Sequence, residues 1–278
     1  MRFFRIALRK TSLMALAVLV FVAVGRGMGA DPLSAYPPAI ETIVRRILDA
    51  YGGTTVLGGV HSFSATGVLE SPLYEGPAKY SIALEQEGRK LRVEIRSGNS
   101  FELRVLNGTR GYYQATDSPM AEVSGSRFLA MAYQFKELTM LSQLMTSSFT
   151  IVDGGRSTAN STPVRLLLLK DSEGPPVKLY VDAKTSRIIK DSGVFSMGGA
   201  QTELSSEFRD FRKVHGRLFP FRIINYAGGQ KIGELHIREY TVNPVLPDSL
   251  FLPGVATGTY IDHRDPPCDL LPDNECAS

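Results

Sequence analysis

The strongest constraint on the fold is a series of short segments in which apolar and polar residues alternate. In AKYSIALEQ, the residues Tyr80, Ile82 and Leu84 alternate with polar or small neighbours, and RKLRVEIRS and SFELRVLNG repeat the pattern. Successive side chains of a strand point to opposite faces, so each segment predicts a strand with one apolar face and one face in water. The separators EGRK, SGNS and NGTRG are typical of tight turns. Such short connections require antiparallel neighbours.

Helical periodicity interrupts the strands at two places. Apolar residues recur at helical spacing over residues 39–51, and Gly52–Gly53 end that pattern. A second, broadly apolar and methionine-rich helix is predicted over residues 127–148. With about eleven strands, the chain is predicted to be an α+β protein built on one large antiparallel sheet. A twisted sheet of that many strands must curl or close, so the two helices are expected to cover its concave face.

The first thirty residues differ in character from the rest of the chain. Basic residues precede the apolar run LMALAVLVFVAV, and the small residues of GRGMGA follow it, which is the order found in a secretory signal peptide. The run is shorter than the roughly twenty residues that span a bilayer. We expect residues 1–30 to be removed after Ala30 or, as second choice, after Gly29. A retained N-terminal anchor is the alternative. No cysteine near the junction offers a site for lipid attachment.

The charge of the chain is concentrated in this leading segment. The whole sequence has 31 Lys and Arg against 28 Asp and Glu, a net charge of +3. Residues 1–30 contain five of the bases and no acid, which leaves 26 bases against 28 acids and a net charge of −2 for the remainder. The basic character therefore belongs to the targeting segment, and no nucleic-acid partner is expected.

Two cysteines lie in the C-terminal tail, residues 254–278, beyond the predicted domain of residues 31–253. An exported chain meets an oxidising compartment, so Cys268 and Cys276 are predicted to form a small disulfide loop. Zinc binding is less favoured, because these cysteines and His263 lack the paired ligand spacing of a structural zinc site. The loop would hold the tail rather than the core.

His215, in FRDFRKVHGRLFPFR, is the residue that most resembles a catalytic base. Arg209 and Asp210 nearby fall on opposite faces of their strand, so these side chains cannot all converge on the imidazole. A two-residue hairpin turn needs positive φ, which histidine tolerates, and His-Gly fits such a turn. We therefore predict that His215 is a hairpin tip and that Phe219 and Phe221 share one face of the returning strand.

Motifs of catalysis and cofactor binding are missing from the sequence. The four histidines are scattered without metal-ligand spacing. No nucleophile elbow, phosphate loop or dinucleotide fingerprint is found. We therefore predict no catalytic residues, no metal, no cofactor and no enzymatic activity.

The informative feature is the supply of apolar residues on the inward faces and both helices. These residues form either a packed core or, if two helices only partly fill a curved sheet, a cavity lined by side chains that can repack. Composition leaves both alternatives open. The residues predicted to face such a cavity are Tyr80, Ile82, Leu84, Leu91, Val93, Phe101, Leu103, Met131, Phe135, Leu138, Leu141, Met145, Leu204, Phe208, Phe219 and Phe221.

Three segments resemble the LolA/LolB-like family of outer-membrane lipoprotein-sorting proteins. VKLYVDAKTSRIIK is similar to the family's strand–turn–strand with an Asp-x-x-Thr turn. FRDFRKVHGRLFPFRI is similar to the following aromatic-rich hairpin, and PDSLFLP resembles the closing segment. His215 stands where the family usually has Asp, and Ile188–Ile189 replaces the usual Leu-Pro. The similarity covers roughly residues 37–253.

The resemblance implies a half-open β-barrel whose mouth is plugged by helices and whose cavity shields acyl chains from water. Burial of a chain of twelve to sixteen carbons, at about 0.8 kcal/mol per methylene, would contribute roughly 10 kcal/mol before association costs. The expected function is that of a monomeric, soluble periplasmic carrier of lipid or lipoprotein acyl chains in lipoprotein sorting or lipid trafficking. It would exchange its ligand with donor and acceptor proteins at the inner and outer membranes.

The family's fold also serves in envelope-stress sensing, so fold alone leaves a second function open. In this alternative, the protein is a periplasmic sensor or scaffold whose cavity is collapsed and whose partner is another protein.

Overall fold

The computed structural model describes residues 31–197 and 199–254. The predicted signal peptide, and Cys268 and Cys276 in the tail, lie outside the described residues. The cleavage site and the disulfide therefore stay predictions.

In the described part of the chain, thirteen strands form one antiparallel sheet. This is close to the eleven or so predicted, and β6, with three residues, is too short for alternation to reveal it. The strands are β1 (Ser62–Glu70), β2 (Ala78–Glu85), β3 (Lys90–Ser97), β4 (Ser100–Asn107), β5 (Arg110–Ala115), β6 (Ala121–Val123), β7 (Thr150–Ala159), β8 (Thr162–Lys170), β9 (Val177–Asp182), β10 (Ile188–Met197), β11 (Ala200–Val214), β12 (Arg217–Ala227) and β13 (Gln230–Val242).

The order of the strands across the sheet is β6-β5-β4-β3-β2-β1-β13-β12-β11-β10-β9-β8-β7. All neighbours are consecutive in sequence except the central pair, in which β1 lies antiparallel to β13. The first half of the chain therefore builds the sheet outwards from the centre, and the second half returns from the far edge. The two edge strands, β6 and β7, are consecutive in the chain, and the segment between them must cross from one edge to the other.

That crossing segment is the long helix of the fold. The helices are α1 (Pro38–Ala50), α2 (Gly53–Gly58) and α3 (Gly125–Met145), and 3₁₀ turns occur at Pro32–Ala35 and Asp248–Phe251. The predicted helices at 39–51 and 127–148 correspond to α1 and α3. With 21 residues, α3 is about 32 Å long, enough to cross the open side of a curved sheet.

The sheet curves around α3. Buried residues occur on all sides of this helix, including Tyr133, Phe135, Lys136 and Leu144. One apolar cluster joins α3 to α1 and to β7–β10, and another joins α3 to β1–β4, β12 and β13. A helix that packs against both halves of one sheet must lie in its concavity. The predicted α+β architecture, a curved and open antiparallel sheet with helices on its concave face, is confirmed.

The predicted hairpin at His215 is also confirmed. His215 and Gly216 form the turn between β11 and β12, and their φ values are 47° and 84°. Positive φ at both positions is the conformation that a two-residue hairpin turn requires. His215 is exposed at the tip.

Phe101 and Leu103 were predicted to line the cavity, and the structure shows that this prediction is wrong. Leu103 on β4 pairs with Glu94 on β3, whereas Val93, in the cluster on the concave face, pairs with Arg104. Paired residues share a face, so Leu103 and Phe101 lie on the convex face. There they pack in a cluster with the 3₁₀ turn Asp248–Phe251. Alternation within a strand separates its two faces without indicating which one is concave.

The same turn covers residues of β3 that were predicted to lie in water. Arg92 is 2% exposed and Glu94 is 4% exposed. The Arg92 guanidinium donates to the carbonyl oxygen of Leu250 at 3.1 Å and lies 3.4 Å from the Glu94 carboxylate. Burial lowers the pKa of Arg92 from its usual value. The convex face is therefore partly a second core.

Among the described residues, no helix combines the length and apolar character needed to cross a membrane.

Candidate functional site

Two hollows lie against α3, each lined by a different part of the helix. The inner pocket lies between the C-terminal half of α3 and the sheet, and it has a volume of about 90 Å³. The outer pocket lies at the N-terminal half of α3 and has a volume of about 300 Å³. Tyr133 links them, because its ring lines the outer pocket and its hydroxyl bonds to Asp191, which lines the inner one.

The inner pocket is mostly apolar and nearly filled. Its volume is room for about three water molecules, well below the roughly 300–1,000 Å³ of most ligand pockets. A long acyl chain could enter only if α3 moved away from the sheet. The pocket is lined by Tyr51, Phe63, Glu137, Leu138, Met140, Leu141, Leu179, Ile188, Asp191, Phe208, Phe211, Arg217, Leu218, Phe219, Pro220, Ile223 and Tyr240.

An aromatic group from β1, β12 and β13 forms one wall of the inner pocket. Phe219 and Tyr240 stack with ring centroids 4.4 Å apart. Phe63 approaches Phe219 edge-on at 5.8 Å, and Phe221 approaches Tyr240 edge-on at 5.3 Å. Such offset and edge-on pairs contribute beyond the area they bury, so this wall is the rigid side of the pocket.

Two carboxyl groups line the pocket, Glu137 from α3 and Asp191 from the sheet. Asp191 on β10 accepts a hydrogen bond from the Tyr133 hydroxyl at 2.9 Å. Burial raises the pKa of Asp191 to about 7, and burial together with the nearby Asp191 raises the pKa of Glu137 well above its usual value. Below neutral pH, these groups therefore present a polar but uncharged surface to the pocket.

Arg217, the first residue of β12, brings a cation into the same pocket. It is only 8% exposed, and its guanidinium lies over the Phe219 ring at 4.5 Å and near the Phe63 ring at 5.8 Å. Its Nε has no hydrogen-bond partner, and the nearby groups that influence its charge are the tyrosines Tyr51 and Tyr240 rather than a described carboxylate. Burial lowers the pKa of Arg217 to about 10, so the group keeps its charge at neutral pH.

Arg217 follows the turn glycine directly, and its position at the very start of β12 gives no indication of burial on its own. A signal for it exists, since Arg217 stands two residues before Phe219 and four before Phe221 and so shares their face of β12.

The outer pocket opens where three elements of the fold meet. These are α3, the turn between β2 and β3, and the loop between β8 and β9. Its walls are largely apolar, and Tyr133 and Phe195 meet there with ring centroids 4.9 Å apart. The outer pocket is lined by Arg89, Thr109, Phe128, Leu129, Ala132, Tyr133, Lys136, Glu173, Gly174, Pro175 and Phe195.

Ion pairs close the rim of the outer pocket. Arg89, on the β2–β3 turn, lies 2.6 Å from the Glu173 carboxylate on the β8–β9 loop. Lys136 on α3 lies 2.7 Å from the Asp171 carboxylate and also donates to the Glu173 carbonyl oxygen. We call Arg89, Lys136, Asp171 and Glu173 the latch. It ties both halves of the sheet to α3 across the open side.

The residues predicted to face a cavity are distributed over several environments. Leu138, Leu141, Phe208 and Phe219 line the inner pocket. Met131 lies against Gly111 on β5, and Met145 and Leu204 pack at the edge of the cluster that includes α1. The remaining members of the set on the concave face pack in the cluster below α3, and they are Tyr80, Ile82, Leu84, Leu91, Val93, Phe135 and Phe221.

No metal centre is evident on this face. Within the described ranges, no three His, Cys, Asp or Glu side chains are grouped so that they could hold a metal ion.

No family model and no curated protein matches the sequence. Among solved structures, a DUF1329 family protein from Desulfovibrio piger matches with a TM-score of 0.52 at 10% identity, over 80% of this chain and 98% of that one. An outer membrane lipoprotein-sorting protein domain from Vibrio parahaemolyticus matches with a TM-score of 0.49 at 13% identity, over 76% of this chain and 94% of that one. A LolA superfamily protein from Nitrosomonas europaea matches with a TM-score of 0.48 at 14% identity, over 76% and 96% of the two chains.

Sequence identities this low indicate no more than a shared fold. The likeness to the Desulfovibrio piger protein supports the architecture described above and assigns no activity to either chain. The other two structures bear the name of the family that the sequence resembles.

Proposed function

We propose that this protein is a non-enzymatic periplasmic carrier that takes up acyl chains of a lipid or lipoprotein between α3 and the concave face of the sheet. The observation that supports this most directly is the position of α3. It is the helix that crosses the open side of the sheet, and incompletely filled apolar space lies against both its N-terminal and its C-terminal half.

The inner pocket is too small for an acyl chain, so uptake requires α3 to move. Burial of an acyl chain contributes about 0.8 kcal/mol per methylene, and a displaced helix loses apolar contacts of a similar kind. The free energy gained by burial of the acyl chain is therefore offset by the contacts that the displaced helix loses. This offset keeps binding reversible, as a carrier needs in order to release what it takes up. The outer pocket, at the rim and closed by the latch, is the proposed entrance.

The proposed setting of this activity follows from the sequence. We propose export after removal of residues 1–30, a Cys268–Cys276 disulfide in the tail, and exchange of ligand by the monomer with donor and acceptor proteins at the two membranes.

Uptake of a fluorescent fatty acid by delipidated protein tests the proposal. We expect saturable binding to wild type and a loss of about tenfold or more in affinity for Leu138→Glu, because a carboxylate would be placed among apolar groups. The matched control is Leu73→Glu, since Leu73 is 77% exposed and lies outside both pockets. Equal loss in both variants, or no uptake by folded wild type, would contradict the proposal.

One observation favours the second candidate, a sensor or scaffold that acts through protein contacts. The inner pocket holds only about 90 Å³, as expected of a core that needs no ligand. In that case wild type takes up no acyl probe, and Leu138→Glu lowers the melting temperature without any effect on binding. Lipid mass spectrometry of the protein purified from its native envelope separates the two candidates independently, because only a carrier would bring bound lipid with it.

A further inference from the structure

Arg217 is a buried cation that the described part of the chain leaves without an anion. Arginine is almost never fully buried unless it is paired, because removal of the charge from water is costly. The guanidinium is compensated only by the faces of the Phe219 and Phe63 rings, and cation–π contacts are weaker than a pairing with an anion. The guanidinium has five N–H donors, of which the Nε–H is without a partner, and the side chain lines the inner pocket.

Other arginines of this chain show that the fold can supply partners. Arg92 is more deeply buried than Arg217, and it has both the Glu94 carboxylate and the Leu250 carbonyl oxygen as acceptors. Arg222, on the same strand as Arg217, pairs with Glu234 on β13. The charge of Arg217 is thus left for something that enters the pocket.

We propose that Arg217 binds the carboxylate of a long-chain fatty acid in the inner pocket, and that the acyl chain lies along the apolar wall beside Leu138, Leu141 and Phe219. This inference rests on the proposed carrier function and names its ligand class. A guanidinium and a carboxylate are planar and match in a bidentate pair, which satisfies donors that are otherwise unpaired.

The single cation of the pocket favours a ligand with one negative charge over a ligand with two. The other polar side chains of the pocket include Glu137 and Asp191, neither of which supplies a positive charge. A phosphate monoester carries nearly two negative charges at neutral pH, so Arg217 would leave part of that charge unpaired in a mostly apolar pocket. A carboxylate brings one charge, which the single arginine neutralises. An uncharged lipid would leave the guanidinium unpaired.

The inference is tested with three ligands that have the same sixteen-carbon chain, namely palmitate, 1-hexadecanol and palmitoyl lysophosphatidic acid. Isothermal titration calorimetry measures the affinity of the protein for each ligand. We expect wild type to bind palmitate about tenfold or more tighter than 1-hexadecanol, and tighter than palmitoyl lysophosphatidic acid. Arg217→Met keeps the apolar stem and removes the charge, so we expect it to lose the preference for palmitate while its affinity for 1-hexadecanol is kept. Arg217→Lys keeps a charge without the planar fork and should retain part of the preference.

Arg212→Met is the matched control. Arg212 is exposed, pairs with Asp210 at 2.6 Å and lies over the Phe221 ring, outside the inner pocket. We expect its ligand preference to equal that of wild type. We also expect Arg217→Met to melt at a higher temperature than wild type, because it removes a buried unpaired charge, as is common where a binding site is maintained at a cost in stability.

The outcomes separate this inference from the carrier function. If wild type binds palmitate and 1-hexadecanol equally, the carrier function stands and the role of Arg217 is refuted, a comparison that needs no variant to fold. Tighter binding of the lysophosphatidic acid would refute the choice of a carboxylate. Binding of none of the three ligands would contradict the carrier function itself.

Discussion

The hydroxyl of Tyr133 on α3 donates a hydrogen bond of 2.9 Å to Asp191 on β10. This bond joins the helix that crosses the open side of the sheet to the sheet itself. It also lies between the two pockets, since Tyr133 lines the outer one and Asp191 the inner one. Movement of α3 away from β10 must break this bond.

The stability of the fold should depend on pH through the carboxyl group in this bond. Burial raises the pKa of Asp191 from 3.8 to about 7, and Glu137 also has a raised pKa. A group whose pKa is raised by folding contributes stability that is fully present below its unfolded pKa and is lost as the pH rises through its folded pKa. We therefore expect the melting temperature to fall between pH 5 and pH 8, as measured by circular dichroism.

Asp191→Asn is the variant that checks this pH dependence. Asparagine still accepts the Tyr133 hydrogen bond but carries no charge, so the fall in melting temperature between pH 5 and pH 8 should become smaller. At pH 8, the variant should be more stable than wild type by about 1 kcal/mol or more, since one pKa unit corresponds to about 1.4 kcal/mol. The control is Asp49→Asn, at the exposed end of α1. An unchanged pH dependence in Asp191→Asn would show that the buried carboxyl does not cause it.

Much of the architecture could be predicted from the sequence because it depends on local patterns. Alternation in segments such as residues 80–84 identifies strands, and His215 with Gly216 identifies a hairpin because a two-residue turn needs positive φ. The number of strands then requires a curved sheet. Each of these steps uses residues that are near one another in the chain.

The parts that could not be predicted depend on distant contacts. Arg92 and Glu94 are buried because Leu250, which lies 158 positions after Arg92, returns over the convex face. Glu137 on α3 lines the inner pocket, and buried residues occur on every face of this helix, so its few charged residues do not indicate a face in water. The inner pocket therefore contains charged groups that a pattern of apolar residues could not indicate.

Loosening of the latch should speed ligand entry. Lys136→Met removes the ion pair with Asp171 and the hydrogen bond to the Glu173 carbonyl oxygen while it keeps most of the buried stem. We expect a loss of about 1–3 kcal/mol in the free energy of unfolding, because Asp171 is left half-buried without its partner. Stopped-flow uptake of a fluorescent fatty acid should become several-fold faster.

The control for the latch is Arg110→Gln. The Arg110–Glu122 pair is exposed and joins β5 to β6, so its loss should cost less than about 1 kcal/mol and leave the uptake rate unchanged. If Lys136→Met lowers stability without any change in the rate of uptake, the latch is structural and does not control entry.

The two faces of the sheet should respond differently to the same type of substitution. Leu103 is 2% exposed and packs on the convex face against Leu250 and Phe251. Leu103→Ala should cost about 2–5 kcal/mol in urea unfolding, as large-to-small changes in a core do. Its folded form should bind the acyl probe as wild type does. Weakened binding in folded Leu103→Ala would mean that the convex cluster takes part in the site.

Adjacent glycines at the end of α1 provide the sharpest test of the backbone. Gly52 has a φ of 121°, and a Cβ there would lie 2.6 Å from the carbonyl oxygen of Gly216 in the hairpin turn. Gly53 has a φ of 82°, and a Cβ added to it would meet no atom within 4 Å. Both alanine variants bear the cost of positive φ, about 1–2 kcal/mol, but only Gly52→Ala also collides with the backbone.

Gly52→Ala should therefore be the more destabilised variant by at least about 1 kcal/mol in urea unfolding, because the hairpin must shift away from the end of α1 to make room. The backbone amide of Leu218 donates to the Tyr51 carbonyl oxygen at 3.1 Å and so joins the same two elements. The hydrogen of this amide should exchange faster with solvent in Gly52→Ala than in Gly53→Ala.

Because Arg217 lies between Gly216 and Leu218, Gly52→Ala should also weaken palmitate binding. Equal stability of the two variants would show that α1 and the hairpin are not in contact in solution.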